Sequence, residues 1–511
     1  MSIDRPELSR RSLLAGLMVS AAAPVLANAP SRSPYPVPRP ALASRLAAVP
    51  SLQTPSMPLS AGSMDSLLAR SGLTGETALI ALDAETGAVI EQHRADLQMP
   101  PASTAKAVTA MYALQTLGSE HRFVTRAEAL GGEIAGGTLT GDLILRGGGD
   151  PTLQTADLAR LADDLVQRGL RQVAGRFIVD DSALPGIPHI DSGQPVAAGY
   201  NPALAGINLN FNRVYFGWEV QAGRARLTMD ARSDHEAPPV SMIGIDAVAR
   251  DLPVYTHELR ADREQWTVAM SALNASGSRW LPVRRPGAYA GDVFRALLAA
   301  RGCRVPEARI AAVAPGAVLA EVRSSTLSTV LREMLRYSTN LTAECVGLAA
   351  SQVQGGAVSS LPRSAARMND WIATRYDAPG LALVDHSGLG GGSRIAPRVM
   401  ARYMLAARRE GVLPGLLREH PLNDAEGRAA PGHPVEVRAK TGTLNFVSAL
   451  TGYAQPRGGR AIVFSIASAD MARRRGLTDD DNERPAGART WTGQARGLQQ
   501  ALIERWSGLR G

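Results

Sequence analysis

The sequence predicts the α/β (α+β) class, with an antiparallel sheet flanked by helices and interrupted by a large, mostly β inserted region. Residues 77–93 contain two apolar runs joined by AETGA, which is typical of a β-hairpin, and a helical pattern follows from Thr104. Residues 125–305 then hold many short strand-like pieces. A long helical stretch at 326–350, further strands and a final helix at 490–506 complete the chain. We therefore expect the early helical part and the late strands to belong to one sheet-containing unit, with the middle of the chain inserted between them.

Composition places the chain among globular proteins and argues against nucleic-acid binding. Its 511 residues are 45% hydrophobic and 20% charged, which suits about two or three domains. The net charge is +8, but the basic residues are interleaved with 47 acidic ones. The densest basic run, at residues 473–475, is followed almost at once by the acidic stretch TDDDNE. We interpret this pair as a solvated loop and predict no nucleic-acid partner.

The N-terminus resembles a twin-arginine export signal. Arg10 and Arg11 precede an apolar stretch at 13–27, and small-residue cleavage sites follow it. We predict a signal peptide over residues 1–29 and a periplasmic protein. The apolar stretch is 15 residues long and broken by glycine and proline, so no stable membrane span is expected after cleavage. An uncleaved anchor is the alternative. Residues 30–60 hold eight prolines and are predicted to be a disordered leader.

The cysteines and histidines predict no metal or cofactor. Cys303 and Cys345 do not have the spacing of a metal site or a redox pair, so we predict two buried free thiols. The eight histidines are scattered and none has a partner at metal-ligand spacing.

The sequence contains only two lysines, and their positions suggest a chemical role. Only two of the 55 basic side chains are lysines, Lys106 and Lys440, and Lys106 follows Ser103 by one helical turn. A lysine amine can lose its proton in a protein, whereas a guanidinium cannot, so a general base requires lysine. The alternatives are a bias toward arginine with two accidental lysines, and a serine that only caps a helix.

Three short motifs occur in order: Ser103-Thr104-Ala105-Lys106, Ser338-Thr339-Asn340 and Lys440-Thr441-Gly442. Each is weak alone, but together they contain both lysines. The triplet resembles the penicillin-binding protein and serine β-lactamase superfamily. With GGGDPTL, STNLTAE, DHSGLGGGSRIAP and KTGTLNFVSALTGYA, residues 65–507 resemble the D-alanyl-D-alanine carboxypeptidase/endopeptidase family, the class C low-molecular-mass penicillin-binding proteins. The 235 residues between the first two motifs agree with an insertion that marks this family.

The resemblance implies a β-lactamase/transpeptidase-like catalytic domain in two parts, residues 61–124 and 306–511, around an inserted region at 125–305. It also implies roles for eight residues. The implied catalytic residues are Ser103 as nucleophile, Lys106 as base, and Ser338 and Asn340 as proton relay and hydrogen-bond partner. The implied substrate-binding residues are Lys440, Thr441, Gly442 and Thr443. The backbone N–H groups of Ser103 and Thr443 would form an oxyanion hole. Repulsion from Lys440, together with burial, is expected to lower the pKa of Lys106.

The implied activity is serine-type hydrolysis of D-Ala-D-Ala termini, and of cross-links, in peptidoglycan stem peptides. β-Lactams would acylate the same serine. The alternatives are a β-lactamase of the same fold and an inactive peptidoglycan-binding protein. The chain departs from the family at Thr339, where an aspartate is usual, and at His386 in the DHSG segment. We expect activity to survive Thr339, and we assign His386 to a loop rather than to catalysis.

Overall fold

A five-stranded antiparallel sheet is built from both ends of the chain. The structure is a computed structural model that describes residues 63–508 except 234, 425–427, 431 and 478–484. In spatial order, the strands of this sheet are β17 (Val435–Leu444), β18 (Val447–Pro456), β19 (Ile462–Ala469), β1 (Glu76–Asp83) and β2 (Val89–His93). The expected hairpin is present, and its first strand pairs with the late strand β19. The predicted signal peptide and the whole of the predicted leader lie outside the described residues.

Helices cover both faces of this sheet. Along β1 the side chains alternate, so Leu79 and Ala81 join the core on one face while Ile80 and Leu82 join the core on the other. The first face packs on α1 (Met64–Arg70) and α11 (Ala488–Gly508), and the short helix α10 (Met471–Arg475) lies between β19 and α11 in the chain. The second face packs on a larger group of helices: α2 (Ala105–Leu117), α5 (Leu327–Tyr337), α6 (Asn340–Gly355), α7 (Leu361–Tyr376), α8 (Pro397–Arg409) and α9 (Leu413–Leu416).

Helix α2 is buried almost all round its first three turns, from Ala105 to Leu114. This all-round burial agrees with a helix at the centre of a domain. It ends at Gly118, whose φ of 87° is a backbone conformation that side chains rarely adopt. A short 3-10 turn, Ala102–Thr104, connects the sheet side of the chain to α2 and carries Ser103.

The inserted region has its own core and is mostly β, as expected. A five-stranded sheet with order β15-β8-β6-β3-β16 contains β3 (Val124–Leu130), β6 (Asp142–Arg146), β8 (Phe177–Asp180), β15 (Ala308–Ile310) and β16 (Ala317–Arg323). Smaller sheets contain β4 (Ile134–Ala135), β5 (Thr138–Leu139), β7 (Gln172–Val173), β9 (Arg213–Gln221), β10 (Arg224–Asp230), β11 (Ile243–Val248), β12 (Tyr255–Leu259), β13 (Glu264–Ala269) and β14 (Gly277–Pro282). Helices α3 (Thr155–Gln167) and α4 (Pro286–Ala300) pack on them.

The last two strands of the insert lie beyond the expected boundary at residue 305. Strand β15 pairs with β8, and β16 pairs with β3 along its whole length. Because these strands complete the sheet that β3 begins, we propose that the inserted region ends near residue 323.

The predicted single helix at 326–350 is wrong. Two helices, α5 and α6, occupy this stretch, and Ser338 between them is left-handed with φ 59° and ψ 38°. The apolar pattern continues through the break without glycine or proline, so the sequence shows no local signal for it. Because Ser338 lies between the two helices and has left-handed dihedral angles, its backbone does not follow the helical path of α5 or α6. Within the described part of the chain, no helix is long and apolar enough to cross a membrane.

Candidate active site

The nucleophile and base predicted by the first motif are in contact. Lys106, in the first turn of α2, donates a hydrogen bond from Nζ to Ser103 Oγ at 2.9 Å. The residue that caps α2 is Thr104, and its side chain makes no capping hydrogen bond. The alternative in which Ser103 serves as a helix cap is therefore not what the structure shows. The Ser103 hydroxyl instead contacts the amine of Lys106, three residues further along the chain.

Lys106 is fully buried and has three acceptors. Besides Ser103, its Nζ donates to Asn340 Oδ1 and to the Ser387 carbonyl, each at 2.7 Å. Burial is the main cause that lowers the pKa of Lys106 to about 7, while Glu344 and Asp385 oppose the shift. A large fraction of Lys106 is therefore neutral at pH 7 and able to accept the serine proton.

A second serine–lysine pair joins the other two motifs. Lys440, on β17, donates from Nζ to Ser338 Oγ at 2.9 Å and to the Thr441 carbonyl at 2.7 Å. Burial, followed by repulsion from Lys106 and Arg418, holds the pKa of Lys440 well below its usual range. Repulsion between the two lysines, as expected, is among the causes of the lowered pKa of Lys440, and burial is the main cause of the lowered pKa of Lys106.

Strand β17 lies at the edge of the sheet, and its two halves have different neighbours. Ala439 N donates to the Arg418 carbonyl, and His420 N donates to the Val437 carbonyl, so residues 418–420 cover the edge up to Ala439. Beyond that point the strand lies against the turn that carries Ser103. Thr441 and Thr443 are half-buried there.

Gly442 allows β17 to lie very close to the turn that carries Ser103. A Cβ at Gly442 would lie 2.7 Å from the Pro101 carbonyl oxygen and 2.9 Å from Ser103 N. Only a residue without a side chain allows β17 to contact the Ser103 turn in this way. The backbone of the next residue, Thr443, is thereby brought beside the nucleophile.

The DHSG segment forms the wall behind Lys106. Asp385 accepts backbone hydrogen bonds from Gly388 at 2.7 Å and from Gly390 at 2.5 Å, which folds the segment into a tight loop. Gly388 has φ 73°, and a Cβ there would lie 1.8 Å from the Ala102 carbonyl oxygen. The loop therefore packs directly on the nucleophile turn and presents the Ser387 carbonyl to Lys106.

His386 points away from the reacting groups. Its Nε2 lies 2.7 Å from Ser364 Oγ, its ring stacks on Tyr112, and burial lowers its pKa to about 3. The ring rests on Gly347, where a Cβ would lie 2.2 Å from His386 Cγ. His386 is thus a neutral, packed side chain at pH 7, in agreement with its assignment to a loop.

Two contacts to this site were not anticipated from the sequence. Glu344 accepts hydrogen bonds from the backbone N–H groups of His386 and Ser387 at 3.0 and 2.9 Å. Asn340 Nδ2 donates to the Tyr200 carbonyl of the inserted region at 2.9 Å. Helical spacing could have found Glu344, since it follows Asn340 by four residues. No sequence signal points to Tyr200.

Both cysteines are free and buried, as predicted. Within the residues that the structure describes, no group of three or more His, Cys, Asp or Glu side chains could hold a metal ion.

Comparison with known proteins places the chain in a family. The model of the D-Ala-D-Ala carboxypeptidase 3 (S13) family matches residues 60–487. The chain belongs to this family. This S13 protein is 30% identical to a carboxypeptidase of Mycobacterium tuberculosis over 471 residues, which cover 86% of each chain. It is 26% identical over 442 residues to the D-alanyl-D-alanine carboxypeptidase of Actinomadura sp. (strain R39), with coverage of 79% of this chain and 80% of the relative.

The fold of this S13 protein matches that of a solved structure. The crystal structure of penicillin binding protein 4 from Haemophilus influenzae superposes with a TM-score of 0.69 at 21% identity, covering 86% of this chain and 100% of that chain. The predicted β-lactamase/transpeptidase-like fold with an inserted β region is confirmed, as is the predicted carboxypeptidase family.

Proposed function

We propose that this S13 protein hydrolyses D-Ala-D-Ala peptides through an acyl-enzyme on Ser103, with Lys106 as the general base. The observation that carries the proposal is that both lysines of the chain are buried and each is hydrogen-bonded to a motif serine at 2.9 Å. A buried, neutral amine in contact with a hydroxyl is the arrangement that activates serine.

In the first step, Ser103 Oγ attacks the carbonyl carbon of the scissile bond while Lys106 accepts its proton. Asn340 Oδ1 and the Ser387 carbonyl hold the amine in line with that hydroxyl. The backbone N–H groups of Ser103 and Thr443 stabilise the developing oxyanion, a contribution of about 2.7–4 kcal/mol per donor in well-studied enzymes.

The leaving D-alanine then needs a proton. Ser338 donates it and recovers the proton that Lys106 took from Ser103, so Lys106 is neutral again before the next step, while Lys440 Nζ holds the Ser338 hydroxyl in place. Water attacks the acyl-enzyme in the last step, and Lys106 again serves as the base. Thr441 and Thr443 of β17 receive the substrate carboxylate. Release of the hydrolysed peptide, with return of a proton from Lys106 to Ser103, restores the Ser103–Lys106 pair.

The same acylation extends to two other substrate classes. A D-alanyl cross-link presents the same acyl group with a larger leaving amine, so endopeptidase activity follows from the same steps. A β-lactam presents a strained amide to Ser103, and the Haemophilus influenzae protein of the same fold has been crystallised with a β-lactam. We propose that this chain binds penicillin covalently.

The substrate determines where the protein acts. Peptidoglycan lies outside the inner membrane, and the twin arginines at 10 and 11 suit export by the twin-arginine route. We place the mature protein in the periplasm. These N-terminal residues lie outside the described part of the chain, so this placement rests on the sequence alone.

The deciding experiment compares the purified protein with Ser103→Ala on three substrates. These are a labelled penicillin, a D-Ala-D-Ala stem peptide and a cross-linked stem-peptide dimer. We expect a covalent penicillin adduct and released D-alanine from the unmutated protein, and neither from the variant. Rapid release of hydrolysed penicillin would instead identify a β-lactamase. An unmutated protein that forms no adduct and releases no D-alanine contradicts the proposed function.

A further inference from the structure

Glu344 is a buried carboxylate that the reaction steps above do not use. It lies on α6 four residues after Asn340, so the two side chains project from the same face of the helix. Asn340 contacts Lys106 directly. Glu344 contacts it through one intermediate, because its Oε1 accepts from Ser387 N at 2.9 Å and the Ser387 carbonyl accepts from Lys106 Nζ at 2.7 Å.

The second carboxylate oxygen makes this support rigid. Glu344 Oε2 accepts from His386 N at 3.0 Å, so two successive backbone N–H groups are held by one side chain. A neutral amide could not replace it, because one of its two ends is a donor and would face a donor. The side chain is fully buried, and a carboxylate in such a place needs a partner charge or strong hydrogen bonds.

We propose that Glu344 is a positioning residue for Lys106, because its carboxyl group fixes the Ser387 carbonyl against the amine and, when ionised, places a negative charge within the same buried site. This inference rests on the proposed role of Lys106 as the base. It assigns to the second motif a third functional position, Ser338-x-Asn340-x-x-x-Glu344.

The charges around Lys106 make the sign of the effect clear. Glu344 on α6 and Asp385 in the DHSG loop favour the charged amine, whereas burial disfavours it. Lys440 on β17 is repelled by Lys106, and Asp191 of the insert acts on Asp385. Without the carboxylate of Glu344, the charged form of Lys106 loses a stabilising partner, so the pKa of Lys106 falls below about 7.

Glu344 also changes its own charge near the same pH. Burial, followed by repulsion from Asp385, raises the pKa of Glu344 to about 8, while hydrogen bonds from Ser387 and His386 and the charge of Lys106 oppose that shift. Two groups that interact and titrate in one range lose their protons in two shared steps. The titration of Lys106 should therefore not follow a single-site curve.

The lysine content of the chain makes a direct measurement possible. Protein labelled with ¹³C-lysine gives signals from only two side chains, and Lys106→Arg assigns them. We expect Glu344→Gln to shift the titration of Lys106 to lower pH by about one unit, a tenfold change in its dissociation constant. The acid limb of the penicillin acylation rate should move by the same amount. A lower plateau rate with an unmoved midpoint would show a merely structural role and overturn the proposal.

Glu264 in the inserted region provides a matched control. It is also fully buried and accepts from two successive backbone N–H groups, those of Arg284 and Arg285, each at 2.8 Å. Its other oxygen lies 2.9 Å from His257 Nε2. Glu264→Gln should lower stability while leaving the Lys106 titration unmoved. An equal shift in both variants would contradict a specific role for Glu344.

If Glu344→Gln does not fold, the NMR titration of Lys106 in the unmutated protein tests the proposal. A single-site titration curve overturns it, and a curve with a second inflection supports it. If the unmutated protein is not acylated by penicillin at any pH, the proposed function fails, and the NMR titration still tests the coupling of Lys106 to Glu344.

Discussion

The two serine–lysine pairs have the same hydrogen-bond length but are built in different ways. Ser103 and Lys106 are three residues apart and meet because one helical turn brings them together. Ser338 and Lys440 are 102 residues apart in the chain, and they meet because a helix break and an edge strand converge. The first pair is a local structure, and the second exists only in the folded protein.

The charges around the two lysines also differ. Lys106 has two carboxylates that oppose the effect of burial, so its pKa remains at about 7. For Lys440 the charges act in the same direction as burial: burial, followed by repulsion from Lys106 and Arg418, holds its pKa well below the usual lysine range. The comparison shows that one residue type in one site can serve two tasks: Lys106 is a base poised at neutral pH, and Lys440 holds the Ser338 hydroxyl through a hydrogen bond.

Replacement of the base should produce the largest effect. Lys106→Arg keeps the positive charge but removes the ability to lose a proton, so the rate of acylation by penicillin should fall by about 10³-fold. Stopped-flow acylation with a fluorescent penicillin measures the rate, and near-ultraviolet circular dichroism checks that the variant folds. A folded variant that retains its activity would rule out Lys106 as the base.

Loss of the relay hydroxyl should be the next largest effect. Ser338→Ala leaves Lys440 without its contact to the reacting groups, and we expect kcat for D-alanine release to fall by about 10²-fold with little change in KM. Ser338→Gly is the matched variant, because glycine accepts the left-handed conformation of this position without strain. An equal decrease in kcat in both variants would show that the Ser338 hydroxyl is the group that the reaction needs. Activity retained by the glycine variant would show that only the backbone matters.

The acylation rate of the unmutated protein should depend on pH through Lys106. The neutral amine is the active form, so the rate increases as pH rises through about 7. At one pH unit below the midpoint, about one tenth of Lys106 is neutral, so the rate should be about tenfold below its plateau. Rates measured from pH 5 to pH 9 check this. A rate that decreases with rising pH across this range would contradict the assignment.

The family departure at Thr339 should have the smallest effect. Its hydroxyl is buried and has no hydrogen-bond partner among the described residues, and the same is true of Thr342 one turn further along α6. Thr339→Val keeps the shape and removes the unpaired group, so the free energy of unfolding should be unchanged or rise by about 1 kcal/mol. Activity should stay within about twofold. Thr342→Val is the control outside the motif, and a large loss of activity confined to Thr339→Val would show that this hydroxyl acts in catalysis.

Much of the fold followed from local patterns. The hairpin at 77–93, the helix after Thr104 and the late strands have clear apolar periodicity and lie where predicted. The break at Ser338 was not predicted, because its left-handed conformation occurs without glycine or proline, and the side chain that contacts Ser338 there, Lys440, lies 102 residues later in the chain. The pairing of β15 and β16 with strands of the inserted region could not be predicted for a similar reason, since their partners lie more than 100 residues earlier in the chain.

The sequence by itself determined which side chains carry the proposed chemistry. The chain has two lysines and 53 arginines, and each lysine lies in an ordered motif with a small hydroxyl residue. This pattern is visible in the sequence without knowledge of the fold. Only the tertiary structure decided how those lysines differ. Burial and the placement of Glu344 and Asp385 depend on contacts between distant segments, and the free energy of a charge depends on what surrounds it rather than on its neighbours in the chain.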